Sequence, residues 1–246
     1  MNSILLSQAS FSGSLAYIDT PEQIDHIDKV LGLHVGDSLR IGQLGGKLGS
    51  AIIDKKTPNL IELREVQLNT APPDKLDLTV ILALPRPKVL RRLIMDMTAL
   101  GVSDIILINS YRTQKSYWQS PMLARLNEFV LEGLQQGVDT IAPNITLEKR
   151  FKPFVEDKLP RLLAHQNTQG IVAHPYSPLS LSAYLQQADT TAAWPKIVCI
   201  GSEGGWIDYE VELLAEQGCQ ALNIGSRILR TEAAVNVIIG QWLLHQ

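Results

Sequence analysis

The sequence predicts an α/β protein in which a mostly parallel sheet wrapped by helices, residues 75–246, follows a small β-rich barrel domain, residues 1–70. Short strand-like pieces separated by Gly, Asp and Pro fill the first region. From Leu78 onward, continuous apolar runs alternate instead with segments of helical period. Between the two, Asn69 to Asp77, rich in Pro, Asp and Thr, reads as a linker.

In the first region Ser38 to Gln43, Leu48 to Asp54 and Ile61 to Leu68 are the expected strands. In the second, Leu78 to Leu84 is a continuous apolar strand, and Pro85 and Pro87 suit the first turn of a helix. Leu90, Leu93, Ile94 and Met97 recur at i, i+3, i+4 and i+7 along that helix, and Gly101 stops it. Asp104 to Asn109 is the next strand. Pro121 to Gln136 and Leu147 to Ala164 read as helices, Gly170 to Ala173 as a strand ending at His174-Pro175, and Leu179 to Gln187 as a helix. The apolar run Ile197 to Ile200 then meets the turn Gly201-Ser202-Glu203-Gly204-Gly205, which opens an amphipathic segment ending at Gly218. A further short run meets Gly225, and Thr231 to Leu244 closes the chain as a helix with Ala234, Val237, Ile238 and Trp242 on one face.

With 246 residues, 45% hydrophobic and 19% charged, the chain can bury the core of one large or two small domains. No apolar run approaches the roughly 18 residues a membrane helix needs. Met1 to Ser14 lacks the basic start of a secretory signal, so the cytoplasm is the default location. Cys199 and Cys219 sit in apolar runs with no C-x-x-C or His partner, which indicates neither a metal site nor a disulfide framework. Both are expected to be buried as small hydrophobes. The formal net charge of -3 argues against a bulk electrostatic grip on nucleic acid. Two local clusters, Lys47 with Lys55 and Lys56, and Arg86 with Lys88, Arg91 and Arg92, either contact phosphates or form solvated faces.

The glycine turns carry the functional signal. Glycines at strand ends permit positive φ and close approach of backbone to a ligand, and open α/β sheets place ligands beyond the carboxyl ends of strands. A phosphate cradle would want a Lys followed by Ser or Thr, or G-x-G-x-x-G before a helix; this turn carries Glu203 and no Lys. The hydrolase elbow G-x-S-x-G fails too, because Ile200 occupies its first glycine position. The ligand left by this elimination is neutral or cationic, and the competing interpretation is a pair of ordinary strand-to-helix turns.

Ile200-Gly201-Ser202-Glu203-Gly204-Gly205, followed by Ile224-Gly225-Ser226-Arg227-Ile228-Leu229-Arg230-Thr231-Glu232-Ala233-Ala234, resembles the paired signature of the RsmE family. These are SPOUT-class methyltransferases acting on N3 of a uridine in 16S ribosomal RNA with S-adenosylmethionine. The resemblance implies a domain whose carboxyl end is tied into a trefoil knot, a homodimer, and an amino-terminal PUA-like barrel that docks RNA, opening at His26 to Leu31 and Val35-Gly36-Asp37. It also implies that His174 and the two loops form the S-adenosylmethionine pocket, with no metal. Backbone at Gly201, Ser202, Gly204, Gly205 and Gly225 is expected to hold the donor, and Ile200, Ile224, Ile228 and Leu229 to wall the adenine. Arg230, a permanently protonated planar fork behind an apolar wall, is the expected electrophilic group. Glu203 and Glu232 are candidate bases, on the expectation that burial raises their pKa. Glu203 could equally hold the donor's amino group or a turn amide, and Arg230 with Glu232 could be a structural ion pair.

Several positions depart from the family. Gly32 stands where an Arg is expected. Asp96 to Gly101 loses a cation and an acid from Lys-x-x-Glu-Leu-Gly, Gln136 to Asp139 replaces an Arg by Asp139, and Ile207 replaces the Ser of a capping box, with Asp208 able to cap one residue later. Phosphate repulsion makes an anion beside RNA costly. These departures leave two alternatives open: a paralogue acting on another RNA such as transfer RNA, and a donor-binding or RNA-binding relative that no longer catalyses.

Overall fold

The computed structural model describes residues 2–191 and 194–245. The chain divides into two compact units, Met1–Asp74 with Glu128–Ala142, and Lys75–Asn127 with Pro143–Gln246. The termini of the expected domains, Met1 and Gln246, fall outside the described residues.

The first unit is a sheet of six strands, β1 (Ile4–Leu6), β2 (Phe11–Ser12), β3 (Leu15–Ile18), β4 (Ser38–Gln43), β5 (Leu48–Thr57) and β6 (Leu60–Thr70), in the order β1-β4-β5-β6-β3-β2. Only β1 with β4 is parallel. Alternate residues, among them Ile4, Leu6, Ile18, Leu39, Ile41, Ile53, Ile61 and Leu63, are buried in one cluster, as a sheet with one covered face requires. Register shifts between β5 and β6 bend the pair. At Gly49 a Cβ would lie 1.7 Å from the Gln67 carbonyl oxygen, so only glycine admits that crossing. β1 to β3 are too short and irregular to read from sequence.

Helix α1 (Pro21–His26) opens with Pro at its first turn and continues through a wider turn, Ile27–Leu31, to Gly32 at φ 62°. Gly32, where an Arg is expected, ends this helix in a left-handed conformation that glycine adopts without strain. Segment Glu128–Ala142 joins this unit through its backbone: Gln135 accepts from the N–H groups of Asn2 (3.0 Å) and Ser3 (3.2 Å), and its side chain accepts from Gln23 (3.4 Å). Asp139 is only 3% exposed and accepts from the Ile141 N–H at 2.9 Å. The expected anion beside RNA is a buried turn group. Two of the three clustered lysines are compensated, since Lys55 pairs with Glu62 (3.0 Å) and Lys56 with Asp28 (2.5 Å).

The second unit holds β7 (Leu76–Ala83), helix α2 (Pro87–Ala99), β8 (Val102–Ile108), the start of α3 (Leu126–Gly137) and β9 (Asn144–Glu148). Then come α4 (Phe151–Pro153), α5 (Leu159–Gln166), β10 (Gly170–Ala173), α6 (Leu181–Thr191), β11 (Ile197–Ile200), α7 (Asp208–Glu216), β12 (Cys219–Leu222) and α8 (Thr231–Leu244). The six strands form a wholly parallel sheet, β12-β10-β11-β7-β8-β9. β11 is apolar throughout and β7 from Val80 to Ala83, because both faces of the sheet are covered there. Phe154, Val155, Leu159, Leu163, Leu213 and Leu214 pack on Cys199 and Cys219 in one core cluster, while α2 and α8 pack together.

Four sequence expectations change here. Leu147 and Glu148 end the edge strand β9 instead of starting a helix, and Pro121–Arg125 is a 3-10 turn before α3. Helix α6 starts at Leu181, not Leu179. The buried face of α8 is Val235, Ile238, Ile239 and Trp242, with Val237 45% exposed. A helix apolar on nearly every side gives no period by which to choose its face. Asp96 accepts from Asn236 at 3.1 Å, so it links α2 to α8. Both cysteines are free and buried; a hydrogen bond to Cys219, then burial, push the Cys199 thiol well up and keep it protonated.

Candidate methyl-donor site

β12, β10 and β11 are neighbours, so the residues leaving their carboxyl ends meet in space. They line a solvent-open cleft with a cavity of about 190 Å³. From β10 come Ala173, His174 and Tyr176, and from β11 come Ile200 and the whole turn Gly201 to Trp206. The loop after β12 supplies Ile224, Arg227, Ile228 and Leu229, followed by Thr231 and Ala234 of α8.

The turn after β11 is closed by a bond from the Gly205 N–H to the Ser202 carbonyl at 2.8 Å, with Gly205 at φ 69°. A Cβ on Gly201 would lie 2.9 Å from the Gly205 Cα, so the turn itself demands glycine there. Three contacts brace this turn. The Arg86 N–H donates to both Glu203 carboxylate oxygens, at 3.0 and 3.3 Å. The Arg112 guanidinium donates to the Gly204 carbonyl. Glu210, 2% exposed, accepts from the Ile207 N–H at 3.1 Å and the Tyr111 N–H at 2.7 Å. Glu210 thus supplies the acid half of a capping box that has lost its hydroxyl at Ile207; Asp208 occupies the first helical turn, with Ile207 remaining the N-cap residue. Burial raises the Glu210 pKa, and the two N–H bonds and Arg112 hold back that rise.

Of the residues predicted from sequence, His174, Ile200, Gly201, Ser202, Glu203, Gly204, Gly205, Ile224, Ile228 and Leu229 line the cleft. Gly225 does not; its φ of 119° shapes the loop from outside the wall. Arg230 is exposed and Glu232 half-buried, and neither lines the cleft. Glu203 is exposed with its carboxylate already engaged, contrary to the expected burial. Sequence reasoning missed Arg112, Tyr176, Trp206 and Arg227. Arg227 stood inside the quoted signature and Trp206 directly follows its first half, whereas Arg112 arrives from a separate loop that no spacing signals.

A glycine-walled hollow at adjoining parallel strand ends, lined by Glu203, Arg112 and Arg227 and by no lysine, marks an α/β domain with a small-molecule cleft at its strand ends. The sequence profile of the RNA methyltransferase domain family matches residues 72–243, and the chain belongs to that family. The ribosomal RNA small subunit methyltransferase E of Treponema pallidum is 28% identical over 95% of this chain and 87% of its own length. The same-named protein of Synechocystis is 29% identical over 90% of this chain and 71% of its own. Among solved structures, the Neisseria gonorrhoeae ribosomal RNA small subunit methyltransferase E bound to S-adenosylmethionine superposes with a TM-score of 0.71, covering 99% of this chain and 98% of that one at 20% identity. A Legionella pneumophila methyltransferase with bound cofactor gives 0.75, covering 100% and 98% at 19% identity. These superpositions define the shared fold.

Proposed function

We propose that the chain binds S-adenosylmethionine in this cleft and methylates N3 of a uridine in 16S ribosomal RNA. The observation that carries it is the braced turn Gly201 to Gly205, whose backbone faces a cleft with an acid at its tip. The residues fit the donor: the turn Gly201 to Gly205 lines the cleft with backbone, and Trp206, also on the wall, keeps a buried indole N–H without a partner among the described residues. The names of the relatives support the RNA substrate.

S-adenosylmethionine, when bound, supplies an electrophilic methyl group on a sulfonium. Backbone at Gly201, Ser202, Gly204 and Gly205 holds it, His174 closes one side, and Ile200, Ile224, Ile228 and Leu229 wall its adenine. Loss of the uracil N3 proton spreads negative charge onto O2 and O4, and attack by N3 on the methyl carbon breaks its bond to the sulfonium sulfur, which leaves as a neutral thioether. Arg230 donates to those oxygens, lowering the barrier by stabilising charge where it develops. Of the two acids, Glu232 is the better proton acceptor, because Glu203 already accepts from the Arg86 N–H; Glu203 holds the turn and lends its charge to the cationic donor.

The same proposal extends to the fold. Asn223 donates to the carbonyls of Ser177 (2.9 Å) and Leu179 (3.1 Å), and the Leu181 N–H donates to the Asn223 carbonyl (2.7 Å). This close crossing of two loops supports a trefoil knot. Val237, Leu243 and Leu244, exposed by 45, 43 and 85% on an apolar helix, support a homodimer. The curled sheet of the first unit is proposed as the PUA-like module that docks RNA. A non-catalytic donor-binding relative is the second reading, favoured by Arg230 and Glu232 lying off the cleft wall.

Calorimetric titration with S-adenosylmethionine tests the site, and absence of binding overturns it. Mass mapping of 16S ribosomal RNA from a strain lacking the protein tests the target. Loss of one N3-methyluridine is expected, and unchanged 16S uridines rule the target out. Donor binding without transfer to any RNA fraction establishes the second reading.

A further inference from the structure

We propose that Arg112 is a positioning residue for the donor site, its stem laid across Gly204 and its guanidinium tied to the Gly204 carbonyl, so that the loop after β8 sets the shape of the turn after β11. This rests on the proposed donor site. A Cβ built on Gly204 would meet Arg112 Cδ at 2.8 Å, Cβ at 3.0 Å and Cγ at 3.4 Å. All three nearest atoms belong to one flexible side chain. Gly204 is also absent from the glycines with positive φ, so its backbone conformation tolerates alanine. Glycine at 204 is therefore required by Arg112, whereas glycine at 201 is required by backbone.

The stem can act this way because its loop is fixed at the root. The hydroxyls of Ser110 and Thr113 are 2.9 Å apart, and Thr113 donates to the Leu84 carbonyl at 3.2 Å. Tyr111 is anchored through its N–H on buried Glu210, at the start of α7. An arginine rising from so fixed a base sets the turn at Gly204 instead of following it.

The test is a double-substitution cycle in the full chain, read by S-adenosylmethionine titration and steady-state kinetics. Gly204→Ala should weaken donor binding about tenfold, and Arg112→Ala about threefold. The double variant Arg112→Ala with Gly204→Ala should fall well short of the product of the two losses, because the contacts with Cδ and Cγ are gone and only the 3.0 Å contact with Cβ remains. Arg112→Lys, which keeps a stem and a donor, should recover part of the loss. In each variant the donor KM should rise while kcat at saturating donor stays within about twofold. Multiplying defects in the double variant, an unchanged affinity in Arg112→Ala, or a fall in kcat with KM constant would each overturn the proposal. A wild-type protein that binds no S-adenosylmethionine defeats the function reading, an outcome distinct from these.

Discussion

The two glycine turns that shape the cleft are built in opposite ways. The turn after β11 is braced by Arg86, Arg112 and Glu210, and its residues at the root are buried: Gly201, Ser202 at 6% and Trp206 at 4%. The turn after β12 is tied by the Gly225 N–H to the Asn223 side chain at 3.0 Å, and Gly225 through Ile228 are exposed, Ile228 by 71%. Half of the cleft is preorganised by the Arg86 N–H, the Arg112 guanidinium and the Glu210 carboxylate, and the other half presents apolar surface and Arg227 to solvent. Preorganisation favours a ligand by removing the ordering cost of binding. The braced half therefore suits the small donor, and the exposed half suits a larger partner.

The sharpest way to break this contrast is Gly201→Ala. Its Cβ would press on the backbone of Gly205 and Trp206, which cannot swing aside as a side chain can. Donor binding should fall below detection by calorimetry, while circular dichroism retains the native helical signal; near-normal affinity would show that the turn is not the donor cradle. Arg230→Ala probes the other half. With small-subunit RNA as substrate, kcat should fall about a hundredfold with donor affinity unchanged, the loss expected on removing one donor to developing charge. Equal loss of donor affinity would move Arg230 into the binding site.

Gly225→Ala comes next. Nothing lies within 4 Å of the added Cβ, so the cost is confined to holding alanine at φ 119°. About 1–3 kcal/mol of backbone strain follows, readable as a lowered Tm. An exposed loop can relax that strain by shifting, so the donor Kd should rise less than for Gly201→Ala. A larger rise would mean that this turn is as rigid as the braced one.

How much of this was legible in the sequence follows the same division. The turn after β11 announced itself, because glycines with an acid and an adjoining apolar strand lie within a few residues. Its bracing did not, since Arg86, Tyr111 and Arg112 reach it from loops about 90 to 120 positions away. Helix α2 was legible because Leu90, Leu93, Ile94 and Met97 keep a clean period; the buried face of α8 was not, because its apolar residues run nearly all round. β9 carried a usable signal, Ile145 and Leu147 alternating with polar residues, overshadowed by the longer helical pattern after it. The departures from family pattern at Gly32, Asp96 and Asp139 were visible as letters but not as roles. Each proves to be a local structural device: a left-handed helix end, a tie to α8, and a buried turn acceptor.

The smallest expected effect is a pH dependence specific to the braced turn. Glu210 has its folded pKa raised above the ordinary value of 4.5, with burial the main cause. A carboxyl of this kind binds its proton more tightly when folded, so across the window from the unfolded pKa up to the folded one the native state holds more protons. Its contribution to stability is full below the unfolded pKa and is lost as pH rises through the folded pKa. Glu210→Gln cannot titrate there. The stability of wild type minus that of Glu210→Gln, from urea midpoints taken at successive pH values, should rise as the solution is acidified through this window and stay flat at neutral pH. Protonation also removes a charged acceptor from the Tyr111 and Ile207 N–H groups, so donor affinity should soften over the same interval even as the fold gains. A stability difference that instead shrinks on acidification would mean the N–H bonds outweigh burial at Glu210, and that the brace is held by a carboxylate favoured in the folded state.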